Sequence, residues 1–192
     1  MSGRGYTIFD TGIGRCGIAW GHLGVLGVQL PETREIETRG RMLRQYPDAR
    51  EFSPPLMIEF AIEGIVAALR GEAYDLSDVT LDISGIHPFN ARVYKFTRGI
   101  PRGETRTYGE VAASLGASGA VHSVAQAISR NPFMVIVPCH RVLEAGSYAD
   151  RISPNGGIVS KRRLLSIEGA STISSKTLFD VFLPAAPPRP QG

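Results

Sequence analysis

The chain has 192 residues, of which 43% are hydrophobic, and it carries a formal net charge of +3 at pH 7. This length and apolar content suffice for one large or two small domains with a buried core, and no apolar run is long enough to span a membrane. The start of the chain lacks the basic and apolar segments of a signal peptide. Its two cysteines, Cys16 and Cys139, form neither a disulfide framework nor a set of zinc ligands. We therefore expect a cytoplasmic protein without a bound metal.

The charges are unevenly distributed along the chain. Residues 1–84 contain 8 Lys+Arg and 12 Asp+Glu, whereas residues 85–192 contain 13 and 6. A basic C-terminal half favours a polyanionic partner such as nucleic acid. A solvated basic surface without any partner is the alternative.

The first 30 residues predict strands. Apolar and small residues alternate between residues 6 and 30, and glycines interrupt them at the spacing of a β-meander with tight turns. The segment Gly12–Gly17 matches the dinucleotide-binding fingerprint in form. That motif requires its last glycine to open a helix, and the glycine-rich residues 18–24 are patterned like a strand instead. We therefore reject a nucleotide site.

The rest of the N-terminal half predicts helices and one more strand. Residues 32–50 are polar and predict a short surface helix or loop. A helix is predicted after Pro54-Pro55 and up to Gly71, because apolar residues recur there at helical spacing. Val79–Ile83 alternates like a strand. Residues 1–84 are thus expected to form an α/β module, with a domain boundary close after it.

The C-terminal half, residues 85–183, is predicted to be a mainly α domain, so that the whole chain is a two-domain α+β protein. Its first helix begins near Phe89. Thr107 and Glu110 form a capping box at the start of a second helix, and a glycine-rich turn at 116–119 leads to a third helix at 120–130. Two short helices joined by such a turn are typical of a helix-turn-helix.

The helix at 120–130 has an apolar face and a face of small and polar residues. We predict that its buried face comprises Val121, Val124, Ala125 and Ile128. Its exposed side carries the small residues Gly119, Ala120, Ser123 and Ala127, beside His122, Gln126 and Arg130. Small side chains allow a partner to approach the backbone closely, and that partner is either a DNA groove or another helix.

A possible nucleophile follows this helix. The apolar run Met134–Val137 predicts a buried strand between Pro132 and Pro138, and Cys139 comes directly after it. A thiol beside the cationic groups of His140 and Arg141 is a candidate nucleophile. The alternative is that Cys139 is an inert, buried small side chain.

Residues 85–170 resemble the O6-alkylguanine-DNA alkyltransferase family, the methylated-DNA–protein-cysteine methyltransferases. The matching segments are Gly103–Ala112, Asn131-Pro132, Pro138–Val142, Gly156-Gly157 and Lys161–Gly169. The resemblance implies a DNA-repair reaction without a cofactor, in which a damaged guanine is flipped out of double-stranded DNA. A cysteine thiolate then takes the alkyl group. The thioether is stable, so each molecule acts once.

The resemblance also implies roles for particular residues. Cys139 is expected to be the alkyl acceptor, and His140 its base through a bound water, with Glu168 orienting the imidazole. Tyr108 is expected to protonate or hydrogen-bond the departing guanine and to help rotate the phosphate. Arg141 is expected to tie this segment to neighbouring backbone carbonyls.

Two further groups of residues follow from the same resemblance. Asn131 is expected to join the recognition helix to the active-site strand. The expected substrate pocket comprises Asn131, Met134, Val142, Asn155 and Gly156. The expected DNA-binding residues are Thr107, Tyr108, Ala120, His122, Ser123 and Gln126.

The chain departs from the usual family pattern in three ways. His122 stands where the family usually has an arginine that fills the gap left by the flipped base, and imidazole is a weaker partner of phosphates and bases than guanidinium. The loop from Leu143 to Asn155 is longer than usual. It contains Ser153-Pro154-Asn155 where a tyrosine and a small residue are common. The chain is therefore expected to be an atypical member, with altered lesion binding.

Two other functions remain open at this point. One is a lesion-recognition protein that binds alkylated DNA without efficient transfer, and the other is a Cys-His-Glu hydrolase on the same scaffold. Beyond the catalytic segment, residues 177–183 are expected to form a short strand. Residues 184–192 are proline-rich and expected to be a disordered tail. We expect the protein to be a monomer.

Overall fold

The computed structural model describes residues 3–145 and 161–170. Four parts of the sequence prediction lie outside the described residues: the short strand at 177–183, the tail at 184–192, the pocket residues Asn155 and Gly156, and most of the loop that follows Leu143. Within the described ranges, no helix is long and apolar enough to cross a membrane.

A four-stranded mixed sheet forms the base of the N-terminal half. Its strands are β1 (Gly5–Thr11), β2 (Gly14–Gly21), β3 (Gly24–Gln29) and β4 (Arg50–Glu51). They lie in the order β3-β2-β1-β4, with the first three antiparallel and β4 parallel to β1. The predicted meander is confirmed. The fingerprint-like segment spans the β1–β2 turn and opens no helix.

Two helices cover this sheet. The predicted surface helix is α1 (Glu35–Gln45), whose Met42 is buried with Tyr6 and Ala19. The second, α2 (Leu56–Leu69), begins directly after Pro55 and buries Ile58, Ala61, Ile65 and Leu69. Both helices match their predictions. However, two apolar residues of α2, Met57 and Phe60, are 49% and 54% exposed.

The strand predicted at Val79–Ile83 is wrong. Only Leu81 forms a β-bridge, in parallel with Val25. The hydrogen bonds are Val25 N–H to Thr80 O, 2.9 Å, and Asp82 N–H to Val25 O, 2.8 Å. The chain then turns away, because the carboxylate of Asp82 accepts hydrogen bonds from both the backbone N–H and the hydroxyl of Ser84. A local side-chain turn thus competes with strand pairing.

The C-terminal half is mainly helical, as predicted. Its elements in chain order are α3 (Pro88–Arg98), β5 (Arg106–Thr107), α4 (Tyr108–Ser114), α5 (Val121–Ser129), β6 (Val142–Leu143) and α6 (Lys161–Ile167). The two short strands β5 and β6 pair in parallel. The capping box of α4 is confirmed: Thr107 Oγ1 accepts from Glu110 N–H at 3.1 Å, and Glu110 Oε2 accepts from Thr107 N–H at 2.6 Å.

The buried face of α5 differs from the predicted one at three positions: Val121 is exposed, Ala125 is half-buried and Ala127 is buried. Val124, Ala127 and Ile128 are buried, whereas Val121 is 41% exposed. Residues Ser118–Ala120 form a 3-10 turn that leads into α5. The buried residues Val124, Ala127 and Ile128 lie at ideal helical spacing, and the exposed Val121 is the first residue of the helix, directly after this turn.

One buried apolar cluster contains side chains from both halves of the chain. From the N-terminal half it includes Ile18, Val28, Ile58 and Ile65, and from the C-terminal half Val93, Val124, Phe133, Cys139 and Leu164. The division at residues 84–85 stays a prediction. The candidate nucleophile lies inside this shared core.

Candidate active site

The segment before Cys139 is a tight turn, and the predicted strand at Met134–Val137 is wrong. Met134 and Val137 form a β-bridge with each other, and Val137 N–H donates to Phe133 O at 2.8 Å. Between them, Val135 has a φ of 71°, which a β-branched residue rarely adopts. The apolar run is buried as expected, but it reverses direction within four residues.

The side chain of Asn131 closes this turn. Its Nδ2 donates to Val137 O and its Oδ1 accepts from Phe133 N–H, each at 2.9 Å. Asn131 is only 1% exposed, so Phe133 N–H would otherwise lie in the core without a partner, whereas Val137 O also accepts from Cys139 N–H at 2.7 Å. The expected role of Asn131 in joining the α5 end to the nucleophile segment fits this geometry.

Cys139 is fully buried at the first position of a single 3-10 turn, Cys139–Arg141. Its Sγ lies 3.6 Å from the thioether sulfur of Met134, one of the predicted pocket residues. The other thiol, Cys16, is also buried, and burial raises its pKa to about 12. Cys16 is therefore inert at neutral pH.

His140 and Glu168 form a direct hydrogen bond, 2.7 Å between Nε2 and Oε1. Burial lowers the pKa of His140, although the bond to Glu168 opposes that effect. The imidazole is therefore neutral at pH 7, and its Nε2 carries the proton that Glu168 accepts. Its other nitrogen, Nδ1, is buried and has no hydrogen-bond partner among the described residues. The lone pair on Nδ1 is thus available as a base.

Arg141 binds both oxygens of the same carboxylate. Its Nη2 lies 2.7 Å from Glu168 Oε1 and its Nε 3.0 Å from Oε2, while Nη1 donates to Ile100 O at 2.6 Å. Burial raises the pKa of Glu168, but the hydrogen bonds from His140 and Arg141 outweigh it and lower the pKa to about 2. Glu168 is therefore ionised while His140 stays neutral.

Lys161 is a site residue that the sequence analysis missed. Its Nζ donates to Val142 O at 2.9 Å and to Tyr108 Oη at 3.3 Å, and it lies 5.5 Å from the centre of the Tyr108 ring. Lys161 is only 7% exposed, which is unusual for a lysine. A signal was present, since Lys161 lies at helical spacing from the buried Leu164 and Leu165.

The predicted DNA-binding residues lie on α4, α5 and the turn between them. His122, Ser123 and Gln126 are exposed on α5, whereas Ala120, Thr107 and Tyr108 are half-buried. Thr107 has a structural role as well, because its hydroxyl caps α4. The structure thus separates an exposed surface on α5 from a buried set of reactive groups.

The structure places three of the four predicted catalytic residues together and leaves Tyr108 apart from them, with Lys161 between. Cys139 and His140 are consecutive, and Glu168 contacts His140 directly. Tyr108 is connected through Lys161 to the carbonyl of Val142, three residues after Cys139. Residues 3–145 and 161–170 contain no group of three or more His, Cys, Asp or Glu side chains placed to hold a metal ion. The arrangement is suited to activating a buried thiol.

Comparison with known proteins gives consistent matches. Residues 88–170 match the family model described as 6-O-methylguanine DNA methyltransferase, DNA binding domain. The chain is 38% identical over 178 residues to the methylated-DNA–protein-cysteine methyltransferase of Mycobacterium tuberculosis, covering 91% of this chain and 98% of the relative. It is 37% identical over 155 residues to that of Methanothermobacter thermautotrophicus, covering 81% and 80%.

Solved structures agree with these sequence matches. The fold is similar to the crystal structure of Mycobacterium tuberculosis O6-methylguanine methyltransferase, with a TM-score of 0.67, 32% identity, and 89% and 96% of the two chains covered. It is also similar to Mycobacterium tuberculosis OGT in complex with DNA, with a TM-score of 0.65, 32% identity, and 85% and 92% covered.

Replacing Asn131 by alanine should destabilise the protein strongly. The variant leaves Phe133 N–H buried without its partner, removes one of the two donors to Val137 C=O and opens a space in the core, so we expect a loss of roughly 2–4 kcal/mol in the free energy of unfolding. Urea denaturation measures it, with Gln126→Ala on the exposed face of α5 as the control. If the two variants have the same unfolding free energy, Asn131 does not hold the turn.

The buried His140 should make stability decrease as the pH falls below about 6.5. In that range the unfolded chain binds a proton on His140, whereas the lowered pKa keeps the folded imidazole neutral, so the slope reaches up to about 1.4 kcal/mol per pH unit. A second loss, from Glu168, should follow between pH 4.5 and about 2.

Urea denaturation of wild type and His140→Gln at several pH values between about 5 and 8 tests the first loss. The variant should lose less stability than wild type over this range. Equal slopes in the two proteins would contradict a buried, neutral His140.

Proposed function

The chain belongs to the methylated-DNA–protein-cysteine methyltransferase family, and from that premise we propose that it repairs DNA by moving the alkyl group of O6-alkylguanine to its own Cys139. The observation that carries this assignment to a particular atom is the Cys139-His140-Glu168 arrangement. A buried thiol directly precedes an imidazole that is held by an ionised carboxylate and has one unoccupied nitrogen.

The thiol of Cys139 must lose its proton before it can attack. A free thiol has a pKa near 8.5 and is mostly protonated at neutral pH. We assign the proton to His140 Nδ1, reached through a bound water, because Nε2 is already engaged with Glu168. The imidazolium that forms is then stabilised by the carboxylate 2.7 Å away. Cys139 becomes a thiolate while its proton stays on His140, so the net charge of the site does not change.

The chemical step then forms one bond and breaks one. The Sγ of Cys139 attacks the alkyl carbon in line, a C–S bond forms, and the bond between that carbon and guanine O6 breaks. The guanine leaves with the electron pair and accepts a proton from the Tyr108 hydroxyl. The ammonium of Lys161, 3.3 Å from Tyr108 Oη, favours this transfer because it stabilises the negative charge that develops on the phenol oxygen. No second molecule restores the thiol, so each protein acts once.

Access to Cys139 requires the base to leave the double helix. The thiol has no exposed surface, and an alkyl group on O6 lies inside the base stack. We assign α4 and α5 to a helix-turn-helix, with α5 as the recognition helix. Its exposed His122, Ser123 and Gln126, together with the small residues before them, support a close approach to DNA. The basic balance of residues 85–192 favours the same partner.

The predicted pocket residues differ in what their contacts indicate about the substrate pocket. Met134 contacts the nucleophile, and Val142 contributes its carbonyl to Lys161, while the side chain of Asn131 is committed to the turn. Asn131 thus acts on the pocket by shaping it.

The other functions considered from the sequence have less support. A lesion-binding protein without transfer would need neither the thiol nor its histidine and glutamate partners, and the relatives that cover most of this chain are named as methyltransferases. No observation among the described residues favours a hydrolase. The monomeric state, the cytoplasmic location and the boundary near residue 85 stay predictions.

Labelled DNA decides the proposal. Incubation with duplex DNA carrying O6-[methyl-³H]guanine should transfer the label to the peptide containing Cys139, with one methyl group per protein molecule and no further turnover. Cys139→Ser should bind the same DNA and acquire no label, and Cys16→Ser should be labelled like wild type. Lesion binding by wild type without label on Cys139 would contradict the proposal and favour the recognition function.

A further inference from the structure

One guanidinium joins the ends of two helices that come from opposite halves of the chain. Arg102 lies in the loop between α3 and β5. Its Nη2 donates to Gly71 O, just after the end of α2, and also to Ile167 O at 3.3 Å; its Nε donates to Glu168 O at 3.2 Å. These carbonyls all belong to the last turn of a helix or to the residues that follow it.

The chemistry of helix ends explains why an arginine suits this place. The last carbonyls of a helix lack partners within the helix and carry its negative dipole end. A guanidinium offers several donors in a fixed plane and keeps its charge, so it can satisfy carbonyls from two helices at once. Arg102 is half-buried, and water is therefore partly excluded from these contacts.

The two helix ends also approach each other closely. Gly71 has a φ of +87°, and a Cβ built on it would lie 3.0 Å from Ile167 O. Glycine is therefore favoured at this position for two reasons: its backbone conformation and the neighbouring carbonyl. The end of α2 is fitted directly against the end of α6.

The same junction fixes the residue that orients the catalytic histidine. Glu168 is held at its backbone by Arg102, and at its carboxylate by His140 and Arg141. Arg141 in turn donates to Ile100 O, two residues before Arg102. Glu168 is thus connected through Arg102 to Gly71 in the N-terminal half.

From these contacts, and resting on the proposed function, we infer that Arg102 is a positioning residue. Its hydrogen bonds anchor Glu168 to the C-terminal end of α2. Glu168 in turn orients the imidazole of His140 for proton transfer from the thiol. The N-terminal half then contributes to alkyl transfer by positioning Glu168, although it supplies none of the reacting groups.

Arg98 provides a matched control. It is also an arginine whose guanidinium binds backbone carbonyls, those of Leu76, Ser77 and Val79. None of these carbonyls belongs to α6. Arg98→Met and Arg102→Met both delete a guanidinium that holds the N-terminal half, but only Arg102→Met releases Glu168. Loss of stability alone should be common to both variants.

The deciding measurement is the solvent exchange of the His140 Nε2 proton, followed by NMR in the absence of DNA. The hydrogen bond to Glu168 protects this proton. We expect exchange to be about tenfold faster in Arg102→Met and within about twofold of wild type in Arg98→Met. Arg102→Lys retains the charge with fewer donors, and it should fall between wild type and Arg102→Met. It also replaces Arg102→Met if that variant does not fold.

A second variant tests the junction from the other side. Gly71→Ala disturbs the contact with Ile167 without changing Arg102, and it should accelerate the same exchange. The double variant should be no faster than the faster single one, since both changes break one junction. Additive effects would indicate that Arg102 and Gly71 act independently of each other.

The rate of transfer from O6-methylguanine DNA at saturating DNA separates this inference from the proposed function. Arg102→Met should lower that rate about tenfold and leave the Kd for DNA within about twofold, whereas Arg98→Met should change neither. Equal exchange rates and equal transfer rates in the two variants would overturn the inference while wild-type transfer stands. A wild-type protein without transfer would overturn the proposed function, and the exchange rates would still decide the role of Arg102.

Discussion

The ionised carboxylate of Glu168 is largely removed from water, with 11% of its side chain exposed, and the whole site depends on how its charge is compensated. Removing a carboxylate from water has a desolvation free energy of several kcal/mol, which charged and hydrogen-bonding partners must offset. Arg141 supplies the opposite charge through two of its nitrogens. His140 can therefore remain a neutral imidazole beside the ionised carboxylate. Its second nitrogen, Nδ1, is then available to accept the proton of the thiol.

A second constraint sets the position of the nucleophile. The turn from Asn131 to Pro138 consists mostly of apolar residues that would favour a strand. The amide group of Asn131 and the backbone hydrogen bonds from Val137 N–H to Phe133 O and from Cys139 N–H to Val137 O hold its reversed shape, and Val135 adopts a left-handed conformation there. The position of Cys139 is thus set by a few buried polar contacts. This explains why an asparagine is buried next to a run of apolar residues.

Much of this architecture follows from local sequence patterns. The meander, the helix after Pro55 and the capping box at Thr107 are determined by contacts close in the chain, and they were predicted from spacing alone. The errors arose where a side-chain contact overrides local propensity. Asp82 turns the chain away from a strand, and Asn131 helps to convert an apolar run into a turn.

The same distinction applies to the site. Cys139 and His140 are adjacent in sequence and were predicted together, and Glu168 came from the resemblance. Lys161 and Arg102 were missed as parts of the site because their partners are carbonyls and a phenol far away in the chain, and no spacing rule brings such partners together. Their roles become visible only when the helix ends and strands are placed in space.

Transfer at this site requires that Glu168 hold His140 as a neutral imidazole with its proton on Nε2 and a free lone pair on Nδ1. Nitrogen-15 NMR of histidine side chains at pH 7 tests it most directly. The predicted result is one protonated ring nitrogen in His140, assigned to Nε2, and one unprotonated nitrogen, assigned to Nδ1. Two protonated nitrogens, or a proton on Nδ1, would contradict the account, since neither state leaves a base for the thiol of Cys139.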